Sequence, residues 1–367
     1  MNRSLLFLLA LTLVGCSTIE LIEEPEVEVK EQEEVVQEIE LKVEEDFEEE
    51  ILQVQPLDNR EQMSLAPSTL SQFYDGQVKH NIPIDEVLSG GPRKDGIPSI
   101  DHPKFLLSPE VDYLEDEDLG ILLTVNGNTR FYPYKIMSHH EIVNDSVGGE
   151  EIVVTYCPLC ASGVAFSRLI SVGVSEFGVS GLLYQSNLLM YDRSTQTLWD
   201  QLTGEAVVGQ LTGEELFRIP SDIVSYGSVR KREFDVYVLS TDTGYIRDYN
   251  NAPYEGYDTN ERTYFPTNAD GDQRLHPKTL IYGIAIDGKA IAFTKDFIVS
   301  KGTFQGYLGH GLTKIPLYLL YNPDTEQLEV TRFFKDTPGK KEPLVPVPAF
   351  WFSWLAERSE EHTSELQ

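Results

Sequence analysis

From about residue 65 to residue 357 the apolar positions fall in short runs: LGILLTV from Leu119, EEIVVTY from Glu150, FDVYVLS from Phe234, TLIYGIAI from Thr279 and LYLLY from Leu317. Runs of this length, rich in β-branched and aromatic residues and bounded by Gly, Asn and Asp, predict strands. Helical candidates are few: APSTLSQFY around Thr69, PYKIMSHHEIVND from Pro133, and the piece that opens at Pro220. The expectation is an α+β, β-rich fold of mixed or antiparallel sheets with few short helices. GILLTVNGNTRFYPYKIM, from Gly120, parallels YGIAIDGKAIAFTKDFI, from Tyr282, and each precedes a β run ending in CPLC or NPDT. That parallel predicts two duplicated β-rich halves, 96–215 and 235–357, of which only the first keeps reactive residues at its turn.

The chain ends read differently. Residues 1–15 carry one early arginine and an apolar run too short to span a bilayer, the pattern of a signal peptide. Leu13-Val14-Gly15-Cys16 resembles the bacterial lipobox, which makes Cys16 the expected lipid attachment site and the mature protein a membrane-anchored lipoprotein facing the periplasm or the cell exterior. Residues 16–64 then form an acidic tether. From Ser17 to Leu52 there are 16 acidic residues against two lysines, so this stretch supplies −14 of the chain's −31 and repels itself into an extended form. The remaining −17 excludes nucleic acid as a partner, because phosphate recognition needs a basic footprint. The last residues, 358–367 (RSEEHTSELQ), are what the start of a common sequencing adapter encodes in frame, so genuine sequence is expected to end near Glu357, and the globular domain is taken as 65–357.

Candidate chemistry centres on Cys157-Pro158-Leu159-Cys160, which follows the run EEIVVTY directly and holds the only cysteines besides Cys16. Outside the cytoplasm such a pair forms a disulfide, holds a metal or cycles between redox states. The sequel ASGVAFSRLISV reads as a strand, which disfavours a thioredoxin-like fold, where the pair opens a long helix. Strand, C-P-x-C, strand resembles instead a metal knuckle, half of a tetrahedral shell for zinc or copper. His139 and His140, 17 residues before Cys157 in the case of His140, are candidates for the other half. Adjacent helical residues point about 100° apart, so one imidazole is expected to face the site. Glu141 is a candidate base or imidazole-orienting group, and Asn144-Asp145 read as a cap or turn before Gly148-Gly149.

A third polar-rich stretch, SGLLYQSNLLMYDRSTQTLWDQ, offers Tyr184, Ser186, Asn187, Asp192 and Arg193 as cofactor-binding candidates, with Met190 as a soft copper ligand. Tyr249, Tyr254, Tyr257 and Phe265, with Arg274, His276 and Lys278, could close over a ligand. Three readings therefore stand: a metal or thiol-redox protein with an unknown redox or metal-delivery partner, a cysteine-nucleophile enzyme, and a non-catalytic surface module with a structural disulfide.

The ordered motifs HHEIVND, TYCPLC, SGLLYQSNLLMYDR, TLWDQ, RDY with PYEGY, and FWFSW resemble the domain of unknown function 3179 family over about Gly96 to Leu355. The resemblance implies an exported or lipid-anchored protein whose activity is not established. Members usually carry Trp where this chain has Ser138, and they continue past FWFSW.

Overall fold

The computed structural model describes residues 62–308, 314–334, 337, 339–357 and the backbone of 364–366. The signal peptide, Cys16 and nearly all of the tether lie outside the described residues. The runs read as strands are strands. Leu119–Val125 (β1) pairs antiparallel with Asn128–Pro133 (β2), and the chain continues through a short helix, Tyr134–His140 (α1), into a meander of Ile142–Val147 (β3), Glu150–Cys157 (β4) and Ser162–Ser167 (β5). A long hairpin follows, Phe177–Tyr184 (β6) with Asn187–Asp192 (β7), and Leu198–Asp200 (β8) extends it. After a second short helix, Tyr226–Arg230 (α2), the first order recurs. Leu280–Ile286 (β9) and Lys289–Thr294 (β10) form a hairpin, Lys295–Lys301 (α3) follows, and Thr303–Leu308 (β11), Ile315–Asn322 (β12) and Gln327–Phe333 (β13) form a meander. Val347–Phe350 (β14) returns to pair with β9, and Trp351–Glu357 (α4) follows it.

Turn chemistry explains why the hairpins close where they do. Asn126-Gly127 and Asp287-Gly288 both take positive φ in two-residue connections, the type I′ geometry that matches strand twist and favours Asn-Gly and Asp-Gly. The two meanders meet different surroundings at their second turn. In the first, β4 ends on the cysteine pair. In the second, β12 ends at Asn322, and the Glu326 carboxylate accepts bonds from Ser225 N (2.7 Å) and Ser225 Oγ (2.9 Å), the N-cap of α2.

Three helical expectations shrink. PYKIMSHHEIVND is helical only to His140; Glu141 turns left-handed at φ 60° and the β-branched Ile142-Val143 start a strand. Asn144 and Asp145 are buried strand residues, not a cap. Asn144 exchanges two bonds of 2.8 Å with the Phe177 backbone, and Asp145 accepts from Tyr132 Oη at 2.6 Å. Near Thr69 there is a single 3-10 turn, Ser68–Leu70, and the piece after Pro220 is the strand Ser221–Ser225 before α2. The largest core cluster runs through Ile142, Val153, Phe166, Phe177, Trp199, Ile281, Trp351 and Trp354, so the cysteine turn is packed by residues from both parts of the sequence.

Candidate functional site

The cysteines lie on the connection between β4 and β5, with Cys157 paired to Ser162 and Cys160 N donating to Cys157 O at 3.1 Å. Strand, turn, strand is the expected local geometry, and no long helix follows. Phe350 N from β14 donates to Cys160 O at 2.7 Å, tying the C-terminal segment to the turn. The two thiols are free, 3.1 Å apart, and enclosed, Cys157 being 2% and Cys160 0% exposed. Burial pushes the Cys160 thiol well up, the neighbouring Cys157 adds to the rise, and Ser353 opposes it.

The tip of the β6–β7 hairpin presses on Cys160. Its sulfur lies 3.4 Å from Ser186 O and 3.4 Å from Asn187 Oδ1, while Asn187 Nδ2 donates to Asp200 Oδ2 at 3.1 Å. This tip is a two-residue turn with Gln185 at φ 49° and Ser186 at φ 65°, and it carries no glycine. Two side-chain bonds hold it, Gln185 Nε2 to Glu86 at 2.9 Å and Asn268 N to Gln185 Oε1 at 2.8 Å. Non-glycine residues in this region are strained and persist where their surroundings fix them, a pattern that clusters at functional sites. Beneath the turn, buried Gln201 donates to Thr155 Oγ1 (2.9 Å) and Ser162 O (3.2 Å) and accepts from Ser162 Oγ (2.7 Å), so the end of TLWDQ fixes the base of the cysteine hairpin.

Over the turn opens a cavity of about 310 Å³ walled by Ser138, Tyr156, Pro158, Tyr254, Tyr257 and Phe350. Burial raises the Tyr156, Tyr254 and Tyr257 hydroxyls. Glu141 stands behind this wall, 7% exposed, with no side-chain hydrogen bond among the described residues. Desolvation alone lifts its carboxyl to about 8, so it is protonated at neutral pH. Its carbonyl accepts from Tyr156 N at 2.8 Å, which fixes it one residue from the cysteine turn.

The histidines do not complete a shell with the sulfurs. His140 is fully buried, with Nδ1 donating to Pro98 O (2.8 Å) and Nε2 accepting from Tyr249 Oη (2.8 Å). Burial lowers its pKa to about 4, so it is a neutral core group with both nitrogens engaged. His139 meets the same Tyr249 edge-on, with ring centres 5.3 Å apart. Two thiols are half of a tetrahedral shell, and among the described residues no group of three or more His, Cys, Asp or Glu is placed to hold a metal.

The third stretch splits in two. Tyr184, Ser186 and Asn187 sit at the tip near Cys160, whereas Asp192 and Arg193 lie at the far end of β7, about 17 Å away at the usual rise per residue. There Asp192 caps a turn through Thr195 N (2.6 Å) and takes Trp199 Nε1 (3.0 Å), and Arg193 meets Asp101 at 3.3 Å. Met190 is core. Of the later cluster, Tyr254 and Tyr257 wall the cavity and Lys278 clamps their loop, its Nζ donating to Tyr257 O (2.6 Å), Arg262 O (2.8 Å) and Asn260 O. Gln201 belongs to the polar-rich third stretch and supports the cysteine hairpin from below, whereas Thr155 and Ser353 carry no signal in the sequence that marks them as site supports.

No curated protein and no solved structure matches the chain. A family model described as Protein of unknown function (DUF3179) matches residues 94–360, a span that contains the cysteine turn, the hairpin tip and the cavity, and the chain belongs to that family.

Proposed function

We propose that the folded unit is an extracytoplasmic thiol–disulfide redox protein in which Cys157 and Cys160 alternate between dithiol and disulfide. The 3.1 Å approach of two free sulfurs, with no third His, Cys, Asp or Glu placed beside them among the described residues, carries this reading. The reaction balances against a disulfide of a partner. The Cys157 thiolate attacks one partner sulfur and expels the other as a thiolate; Cys160, having given up its proton, then attacks Cys157 and releases the second partner thiol. Cys160 is suited to the second role because its sulfur lies under the hairpin tip, 3.4 Å from both Ser186 O and Asn187 Oδ1. Its raised pKa disfavours the thiolate, so the disulfide, once formed, resists opening. The expected result is a disulfide that persists in a glutathione buffer poised at about −200 mV and opens in dithiothreitol, two thiols appearing together, with the change lost in Cys157→Ser. Stoichiometric zinc or copper that disappears in Cys157→Ser, or a disulfide that dithiothreitol leaves closed in the folded protein, would overturn the proposal.

The compartment rests on the sequence alone. In the proposal Cys16 is lipidated and the acidic segment holds the redox unit off the membrane. Cys16→Ser is then expected to move the protein out of the membrane fraction and remove the acyl mass from its N-terminal peptide; unchanged fractionation would sink the anchor.

A further inference from the structure

We infer that the cavity over the cysteine turn is a binding site for a small organic cation, an ammonium or guanidinium group on a short aliphatic body. The inference uses the pocket beside the proposed couple but none of its redox chemistry. Three features carry it. The first is shape and size: about 310 Å³, at the small end of ligand pockets, with ring walls from Tyr156, Tyr254, Tyr257 and Phe350. The second is charge. Glu255 and Asp258 line the same cavity, both exposed at its rim, and no Lys, Arg or His is among its lining residues. The third is the state of the rings. Tyr156 is stacked on Tyr134 at 3.9 Å and Tyr257 already takes the Lys278 ammonium 3.6 Å from its ring centre, whereas Tyr254 has no aromatic or cationic ring partner among the described residues.

An aromatic face attracts a cation through its quadrupole, most strongly where the site is partly desolvated. Carboxylates at the rim add attraction without being buried, so they need no neutralising partner of their own. An anion would meet two carboxylates and the electron-rich face of tyrosine. A neutral apolar ligand would find the rings but leave the rim without a counterpart.

The test is titration calorimetry on the full chain with choline, with its neutral isostere 3,3-dimethyl-1-butanol and with methyl glucoside. Choline is expected to bind at least tenfold more tightly than the neutral alcohol. Tyr254→Leu, and independently Glu255→Gln with Asp258→Asn, are expected to bring that preference below threefold. The two rim residues are exposed, so this second variant keeps the test decisive even if loss of Tyr254 disturbs the loop. Selective binding should persist in Cys157→Ser/Cys160→Ser, which separates this inference from the redox proposal. Equal binding of choline and the alcohol, saturable binding of methyl glucoside alone, or no binding of any probe would overturn it.

Discussion

At pH 9 the substitution Glu141→Gln is expected to raise the free energy of unfolding by about 2 to 4 kcal/mol, and at pH 5 to leave it nearly unchanged. The carboxyl is held near 8 in the folded protein, against 4.5 when solvated, by burial alone. Between those values the folded chain keeps a proton that the unfolded chain has released. Stability therefore falls as pH rises through this window, and the full penalty is present above it. His140 acts with the opposite sign. Its folded pKa of about 4 lies below the ordinary 6.5, so the unfolded chain binds the extra proton and stability is lost as pH falls between those values. Between about pH 4.5 and 6.5 the two slopes oppose and nearly cancel, so the wild-type profile should be almost flat there and fall from about pH 6.5 to 8. Denaturant unfolding across pH 5 to 9 reads this: Glu141→Gln should remove the alkaline fall and unmask the His140 limb, stability then rising from pH 5 to about 6.5. A variant whose profile runs parallel to wild type would show that the carboxyl is solvated in solution.

Asn187→Ala is expected to cost about 2 to 3 kcal/mol and to speed the reaction of Cys160 with a small aromatic disulfide at least tenfold. Asn187 is fully buried and bonds on one side to the Cys160 sulfur and on the other to Asp200, so its removal leaves the buried Asp200 short of one donor. It also frees a turn whose two central residues are held at positive φ without glycine. Ser186→Gly separates these contributions. It should relieve the strain and gain about 1 kcal/mol while loosening the same grip on Cys160. Stability and thiol reactivity would then move in the same direction in Ser186→Gly and in opposite directions in Asn187→Ala. A change below about 0.5 kcal/mol in Asn187→Ala, with thiol reactivity unaltered, would show that the tip does not control the sulfur.

The strands were legible because their signals are local. Val125 and Asn128 flank Asn-Gly, Ile286 and Lys289 flank Asp-Gly, and the runs between them are β-branched. The hairpin that matters most for the site was not legible as a turn, since Gln185-Ser186 has no intrinsic preference for the conformation that Glu86 and Asn268 impose from 99 and 83 residues away. The cysteine turn was found for the same local reason as the strands. The surroundings of the histidines were not legible because sequence proximity carries no direction: the helix ends at His140, and the imidazole there turns to Pro98 and Tyr249. Glu141 was picked as a base; its burial without a partner, which fixes its protonation, depends on packing that only the tertiary structure supplies. The tyrosine wall was visible as a cluster but not as a cavity, because the irregular stretch between Leu239 and Leu280 follows no period.

The two hairpin, helix and meander units end their second turns on different duties. Glu326 beside the second turn holds the chain to Ser225, a mechanical role that depends on one carboxylate and tolerates little change. The corresponding turn of the first unit is held from outside, through Gln201 and Phe350 N, and through its own Cys160 sulfur against the hairpin tip. Its residues Cys157, Leu159 and Cys160 are at the same time buried members of the largest core cluster. Chemistry and scaffold are therefore welded at that turn: a change of either cysteine alters the packing of both parts of the chain along with the reactive group, so this turn is the place where the protein has least freedom to drift.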